Sequence, residues 1–236
     1  MFVLPERDKG VTIGKLLLTL LHISTFPLLL LWLSGDWLWP EGILFCVWFV
    51  ALCFTVVVYL YKKDPPLLSE RYKQPGSAGQ RSWDVLVVIG LLIGFTAWII
   101  IMPLDAKRFG WTTGFPVGLK IAGAVLLLMS FYLFVRVYIE NTYLSPLVRI
   151  QKEREQKVIT TGAYGIVRHP MYLAAVLLFM GAPLLMGSVY GLLAGILLTV
   201  LLAFRIIGEE KMLLSELKGY AQYQQKVTKR LIPFVW

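Results

Sequence analysis

Six long apolar stretches, separated by polar segments, constrain the fold of this chain more than any other feature. They are Leu16–Leu33, Gly42–Tyr61, Val85–Leu104, Ile121–Val135, Met171–Met186 and Val189–Phe204. As α-helices, the first three are long enough to cross a hydrocarbon core of ~30 Å, and the fourth becomes so if it extends through Tyr138. Of the 236 residues, 58% are hydrophobic and 16% are charged, which is more apolar surface than a soluble domain could bury. The sequence therefore predicts an integral membrane protein.

The last two apolar stretches are short, and only Gly187 and Ser188 separate them. This spacing predicts a tight helical hairpin, and it leaves open whether that hairpin crosses the whole bilayer. Residues with helical periodicity then follow, namely Met212, Leu213, Leu217, Tyr220, Tyr223 and Val227, with Gly219 as a possible interruption. We therefore predict an all-α membrane protein with about five to six transmembrane helices, of which the last two form a hairpin, and a cytoplasmic C-terminal helix.

Lysine and arginine residues predict how the chain is oriented in the membrane. They concentrate in the linker after the second stretch, in the linker after the fourth and in the C-terminal tail, whereas Lys107 and Arg108 are a mild exception. Both termini and the two long linkers are therefore expected in the cytoplasm, at the inner membrane of a bacterium or the endoplasmic reticulum of a eukaryote. The net charge of +9 is interpreted as this topology signal and as a contact with anionic lipid headgroups. Nucleic acid is a poor match, because the basic residues flank apolar helices.

The polar residues that could carry chemistry lie in one part of the chain. Residues 1–115 hold three apolar spans for which the sequence predicts no role, and residues 116–236 hold the remaining spans and the tail. Glycine-rich nucleotide-binding motifs and the nucleophile elbow of serine hydrolases are missing. The two histidines are far apart, and both cysteines lie inside the second span, so no metal site is predicted.

Two polar groups flank the predicted hairpin. Arg168, His169 and Pro170 precede it, and Arg205, Glu209 and Glu210 follow it. Because a hairpin returns the chain to the same face, the two groups are predicted to meet. Arg205 and Glu209 are four residues apart on one helix face, so they could form a structural ion pair or serve a ligand. Simple structural interpretations stay open, since Pro170 suits the first turn of a helix that His169 would cap.

Residue chemistry narrows the candidate ligands without selecting one. Backbone N–H groups at a helix start attract an anion, and two glutamates attract a cation. Four tyrosines offer ring faces that attract sulfonium or ammonium centres: Tyr164, Tyr172, Tyr220 and Tyr223. S-adenosylmethionine combines a carboxylate, an ammonium and a sulfonium, which makes it one candidate among several.

Three sequence blocks resemble a known family. The run TGAYGIVRHPMYLAAVLLFMGAPLLMGS, then R-x-x-x-EE, then LKGYAQYQQKVTKRLIPFVW closely resembles the isoprenylcysteine carboxyl methyltransferases and their phospholipid N-methyltransferase relatives. The resemblance covers roughly 141–236 and implies a methyltransferase-like membrane core within 116–236. It implies S-adenosylmethionine as the cofactor and a lipophilic acceptor, either an isoprenylcysteine-type carboxylate or a phospholipid amine. It predicts membrane lipids as partners and says nothing of the oligomeric state.

The same resemblance implies roles for individual residues. The cofactor would be bound by Tyr164, Val167, Arg168, His169, Pro170, Tyr172, Tyr220, Tyr223 and Arg230. The catalytic residues would be Arg205, Glu209 and Glu210, with Arg205 orienting the acceptor or locking Glu209. Relatives often have proline at the position of Ala163 and a bulkier or basic residue at that of Gly165, so the resemblance implies a looser turn here. A carboxylate acceptor would need only a cation to hold it, whereas an amine must lose a proton to a base.

Two other classes of protein are alternatives. A membrane reductase of the sterol and steroid type has a similar C-terminal arrangement and binds NADPH, but it would need more basic residues and usually a longer chain. A scaffold or small transporter would place polar residues near the middle of the membrane and repeat broken helices in two halves. The spans here are nearly uncharged, and the sequence shows no internal repeat.

Overall fold

The computed structural model describes residues 12–232 and 236, and these residues contain eight α-helices and no strand. The helices are α1 (Ile13–Ser34), α2 (Pro40–Lys63), α3 (Pro65–Arg71), α4 (Ser82–Pro103), α5 (Val117–Glu140), α6 (Pro170–Met186), α7 (Val189–Glu216) and α8 (Tyr220–Lys226). Helices α1, α2, α5, α7 and α4 with its π-type extension Leu104–Arg108 are long and apolar enough to cross a membrane. Helix α6 is apolar but shorter. The predicted all-α membrane fold with five to six spans is confirmed.

Helices α6 and α7 pack against each other, and each also packs along one other span. Helix α5 lies along α6, α4 lies along α7, and α6 packs on α7. The α5–α6 contact is close because Gly123 and Gly181 face each other, and a methyl group at Gly123 would overlap the backbone of α6 at Leu184 and Leu185. We call the end of the bundle where α4 and α6 begin and α5 and α7 end the site end.

The predicted tight hairpin between α6 and α7 is confirmed. Gly187 ends α6 with φ +79°, a left-handed conformation that glycine adopts without strain. Ser188 caps α7 by accepting a hydrogen bond from the backbone N–H of Gly191. The Ser188 hydroxyl also donates to the buried carboxylate of Asp105, at 2.6 Å. This turn therefore lies at the end of the bundle opposite the site end, held by the extension of α4.

Helix α7 continues 12 residues beyond its predicted end, from Phe204 to Glu216. Gly219, with φ +89°, then breaks the chain, so α8 holds only seven residues. The possible interruption at Gly219 is thus found, and it places Met212 and Leu213 in α7 and Tyr220 and Tyr223 in α8. The two pairs still pack together in one apolar cluster, as their spacing suggested.

The main apolar core lies between the spans, and large apolar side chains also cover the outside of the bundle. Trp98, Phe45 and Leu30 are fully or almost fully buried, whereas Leu17 and Trp32 on α1 are more than half exposed. Exposed leucine and tryptophan on both sides of a long helix are typical of a lipid-facing surface. The expected cytoplasmic placement of the N-terminus concerns residues 1–11, which lie outside the described residues.

Candidate active site

A cavity of about 380 Å³ lies at the site end. Its polar wall includes Arg71, Arg149, Tyr164, Arg168, His169, Tyr172, Arg205, Glu209, Tyr220 and Tyr223. Its apolar wall includes Val88, Leu91, Leu92, Phe95, Phe134, Phe179 and Leu202. Because Leu92 lines the cavity and is also 56% exposed, the apolar wall reaches the outer surface of the bundle at α4. The cavity thus joins a cluster of charges to the region that lipid would occupy.

The turn before α6 is fixed by contacts from α5 and the tail. The backbone N–H of Ala163 donates to the Glu140 carboxylate at 2.8 Å, and Gly162 has φ +60°, where a side chain would overlap that carboxylate. Tyr164 follows in a short 3₁₀ turn and is 8% exposed. Its hydroxyl accepts from Asn141 at 2.8 Å, and its carbonyl accepts from the Tyr223 hydroxyl at 2.7 Å. Tyr164 is therefore a rigid part of the cavity wall.

Glu210 is the centre of a buried charged network. One of its oxygens lies 2.7 Å from Nε of Arg168 and 3.1 Å from Nε2 of His169, and the other lies 2.8 Å from Nε of Arg230. Glu210 is 3% exposed, and Arg168 and His169 are each 6% exposed. Arg168 also donates to the carbonyl of Val227 at 2.8 Å. The predicted meeting of the two polar groups around the hairpin is therefore found, with Glu210 at its centre.

The C-terminal tail is a second part of this network. The backbone N–H groups of Arg168 and His169 donate to the carbonyls of Lys229 and Arg230, at 3.0 and 2.9 Å. These bonds give the turn before α6 partners that the helix itself does not supply. Together with the Glu210 contacts, they hold the tail against the start of α6.

Glu209, next to Glu210 in sequence, has a different environment. It faces the cavity, and among the described residues its carboxylate accepts a single hydrogen bond, from the Tyr172 hydroxyl at 2.7 Å. Among residues 12–232 and 236, no lysine, arginine or histidine lies within ion-pair distance of Glu209. The ring of Tyr172 also stacks on His169, with a centroid distance of 5.6 Å. Glu209 thus presents a negative charge to the cavity with no cation beside it.

Arg205 does not pair with Glu209, so the structural ion pair, one of the two alternatives for these residues, is not found. Its guanidinium instead forms two bonds with the carboxylate of Asp84 on α4, at 2.8 and 3.1 Å, and one with the carbonyl of Pro146, at 2.7 Å. Asp84 is fully buried, and burial makes an unpaired carboxylate costly. Pairing with Arg205, 8% exposed, therefore takes precedence over a contact with the more accessible Glu209.

A second buried pair holds the linker that forms part of the cavity wall. Arg149 makes a two-pronged contact with Glu70 of α3, at 2.9 and 2.8 Å, and Ser145 and Lys73 also bond to Glu70. Burial would raise the pKa of Glu70, but the hydrogen bonds from Arg149, Lys73 and Ser145 outweigh burial and lower this pKa to about 2. The linker is therefore tied to α3 by a carboxylate that is ionised at neutral pH.

The tyrosines beyond the spans are neutral in this site. Burial is the main cause that raises the pKa of Tyr164, Tyr220 and Tyr223 above the usual value near 10, and the charges of Glu210 and Glu209 add to this effect at Tyr220. Tyr220 is 4% exposed, and its buried hydroxyl has no hydrogen-bond partner among the described residues. A buried hydroxyl without a partner is costly, so an unpaired one in a cavity wall fits a bound ligand.

The structure brings most of the predicted site residues to one cavity. Those that line it are Tyr164, Arg168, His169, Tyr172, Arg205, Glu209, Tyr220 and Tyr223. Those that do not are Val167, Pro170, Glu210 and Arg230. Arg230 borders a second cavity beyond the Glu210 network, while Pro170 occupies the first turn of α6. Within residues 12–232 and 236, no cluster of three or more His, Cys, Asp or Glu side chains could hold a metal ion.

Sequence reasoning missed the carboxylates supplied by the first half of the chain. Asp84 and Glu70 lie near α4 and α3 termini, where acidic residues are ordinary surface features. Glu140 and Asn141, which hold the turn at Tyr164, also gave no signal. In the sequence, Asp84 is distinguished only by its position directly before the apolar stretch that begins at Val85. That position does not indicate a functional site.

Comparison with known proteins gives the same class as the sequence blocks. Residues 119–221 match the model of the phospholipid methyltransferase family. This segment is under half of the chain and contains most of the residues that line the cavity. No curated protein sequence matches the chain. Among solved structures, it is similar to a eukaryotic intramembrane Ras methyltransferase, an isoprenylcysteine carboxyl methyltransferase, at 19% identity. That match covers 95% of this chain and 87% of the other, with a TM-score of 0.46.

The family match confirms the predicted resemblance for the segment that holds the start of α6 and the end of α7. The chain is thus an all-α membrane protein in which residues 119–221 are similar to the phospholipid methyltransferase family. Asp84 and Glu70 lie outside the matched residues, whereas Arg168, Glu209 and Glu210 lie inside them.

Proposed function

We propose that this protein transfers a methyl group from S-adenosylmethionine to a lipophilic acceptor at the cytoplasmic face of a membrane. The observation that carries the proposal is Glu209, a carboxylate with no described cationic partner, in a cavity whose wall includes Tyr220. A site with an uncompensated negative charge favours a cationic ligand.

The residues present fit S-adenosylmethionine as the cofactor. Tyr164, Tyr172, Tyr220 and Tyr223 border the cavity with aromatic rings, which attract cationic centres. The Tyr220 hydroxyl offers a hydrogen bond that no described residue uses. When bound, S-adenosylmethionine would supply a methyl group on a positively charged sulfur. The chain's own task is then to align the acceptor in a pocket that excludes water.

The charges around the cavity favour an amine over a carboxylate as the acceptor. Arg149, Arg168 and Arg205 line the cavity, but each is already paired with a carboxylate. Arg71, which stacks on the ring of Tyr138 at 5.6 Å, and Lys157 are the remaining lining cations. A lipid headgroup with an amine and a phosphate would match Glu209 and these cations together, whereas a carboxylate acceptor would leave Glu209 without a partner. Glu209 would accept the proton that the amine loses before methyl transfer.

The position of the cavity suits an acceptor from the membrane. Its apolar wall reaches the bundle surface at Leu92, so a hydrocarbon tail could stay in lipid while the headgroup meets Glu209. Basic residues crowd the site end, among them Lys73, Lys152, Lys157 and Lys226. The exceptional Lys107, at the opposite end, is paired with Asp36 at 2.9 Å. The positive-inside rule therefore supports a cytoplasmic site end.

Methyl transfer with a labelled donor tests this proposal. The protein in lipid vesicles would receive S-adenosylmethionine with a radioactive methyl group, and either an amine phospholipid or an isoprenylcysteine acceptor. We expect label in the amine lipid and a decrease of roughly 100-fold in Glu209→Gln, the range for loss of a general base. Glu216→Gln, which removes a carboxylate at the surface end of the same helix, is the matched control and should retain activity. Label in the isoprenylcysteine acceptor alone would refute the amine assignment.

A further inference from the structure

Asp84 is the one fully buried carboxylate on α4 that contacts the candidate site, and neither the family match nor the proposed chemistry assigns it a role. It lies outside residues 119–221 and does not line the cavity. All of its described partners donate to it: Arg205, the backbone N–H of Val148 at 2.9 Å, and the side chain of Gln80 at 2.7 Å. It therefore joins α4, α7 and the cavity linker at a single point.

Arg205, the partner of Asp84, lies close to Glu209. Arg205 and Glu209 are four residues apart on α7, the spacing at which opposite charges pair on a helix. The Arg205 guanidinium lies 5.9 Å from the centre of the Tyr172 ring, and the hydroxyl of that ring donates to Glu209. If Arg205 lost its contact with Asp84, Glu209 would be the nearest free carboxylate on its own helix face.

We propose that Asp84 is a positioning residue that holds the Arg205 charge away from Glu209 and so keeps the cavity selective for a cationic ligand. The count of charges is simple. Asp84, Arg205 and Glu209 together carry −1, whereas Arg205 and Glu209 without the Asp84 charge carry zero. The first half of the chain thus determines the electrostatic character of a site whose ligand-facing residues belong to the second half.

The proposal rests on the proposed function, because it takes S-adenosylmethionine as the cationic ligand. The demethylated product, S-adenosylhomocysteine, lacks the sulfonium charge but keeps the other groups. The ratio of the two affinities therefore reports the charge that the site presents, whereas a change in shape affects both ligands. A unit charge at about 7 Å through an effective dielectric of about 20 corresponds to roughly 50-fold in affinity, and solvent screening reduces it.

Calorimetric titration of the purified full chain with both ligands tests the proposal. Asp84→Asn should lower the preference for S-adenosylmethionine over the product by roughly 10- to 50-fold. The double variant Asp84→Asn/Arg205→Gln restores the count of −1 and should recover the wild-type preference. Asp105→Asn, which removes a fully buried carboxylate at the opposite end of the bundle, is the matched control. It should leave the ratio of the two affinities unchanged.

The outcomes separate a charge effect from a structural one. An equal loss for both ligands in Asp84→Asn, with no recovery in the double variant, would show that Asp84 only braces the fold and would overturn the proposal. If Asp84→Asn yields no folded protein, the double variant alone tests the proposal. A lowered preference for S-adenosylmethionine in the double variant would also overturn the proposal. Wild-type protein that binds neither ligand would instead refute the proposed function itself.

Discussion

Two adjacent glutamates on α7 should respond differently to the same substitution. Glu210→Gln removes the charge that holds Arg168, His169 and Arg230, while Glu209→Gln removes one that accepts a single hydrogen bond from Tyr172. Breaking a buried ion pair by neutralising one partner costs about 3–5 kcal/mol, since the other charge stays buried. Arg168 is 6% exposed, so we expect a loss of this size for Glu210→Gln. For Glu209→Gln we expect less than about 1 kcal/mol.

Thermal unfolding in one detergent and limited trypsin digestion would measure the difference. Glu210→Gln should unfold at a markedly lower temperature and be cut faster near Lys229, because the tail loses the contact of Arg230 with the bundle. Glu209→Gln should unfold like wild type and lose ligand binding. Equal stability of the two variants, or a more stable Glu210→Gln, would refute the view of Glu210 as the structural centre and Glu209 as the ligand-facing carboxylate.

Three further predictions concern packing, pH and the unpaired hydroxyl. Gly123→Val should lower the unfolding temperature and the folded yield, because the valine side chain would overlap the α6 backbone. Gly118→Val is the control and should change neither, because Gly118 has open space around it. Similar melting curves for the two variants would contradict this prediction. Because the pKa of Glu70 is lowered to about 2 from 4.5, its stabilising contribution is present above pH ~4.5 and is lost as pH falls toward 2. In acid titrations monitored by fluorescence, Glu70→Gln should therefore lose less stability than wild type as the pH falls from 4.5 toward 2. Parallel curves of stability against pH for the two proteins would contradict this prediction. Tyr220→Phe should leave the free energy of unfolding unchanged or raise it by up to about 1 kcal/mol. The same variant should bind S-adenosylmethionine several-fold more weakly in calorimetry, and unchanged affinity would show that the hydroxyl contacts no ligand.

The spans and the meeting of the two polar groups could be predicted because both follow from local rules. Apolar length predicts a membrane helix, and a two-residue connection between apolar stretches brings Arg168 and Glu210 to the same end. The cluster of Met212, Leu213, Tyr220 and Tyr223 likewise follows from helical periodicity, although the helix breaks at Gly219. Such rules need only neighbours in sequence.

The pairing of the charges could not be predicted, because it depends on which helices pack together. Asp84 and Arg205 are 121 residues apart, and Glu70 and Arg149 are 79 apart. Helical spacing favoured Arg205 with Glu209, but the packing of α4 on α7 brings a buried carboxylate to Arg205 first. Burial then decides the partner, since the fully buried charge gains most from being paired.

Calorimetric titration of wild-type protein with S-adenosylmethionine, and separately with NADPH, tests the proposed function most directly. We expect saturable binding of S-adenosylmethionine that Glu209→Gln weakens, together with no binding of NADPH. Binding of NADPH without binding of S-adenosylmethionine, repeated in several detergents, would contradict the methyltransferase proposal and favour a membrane reductase.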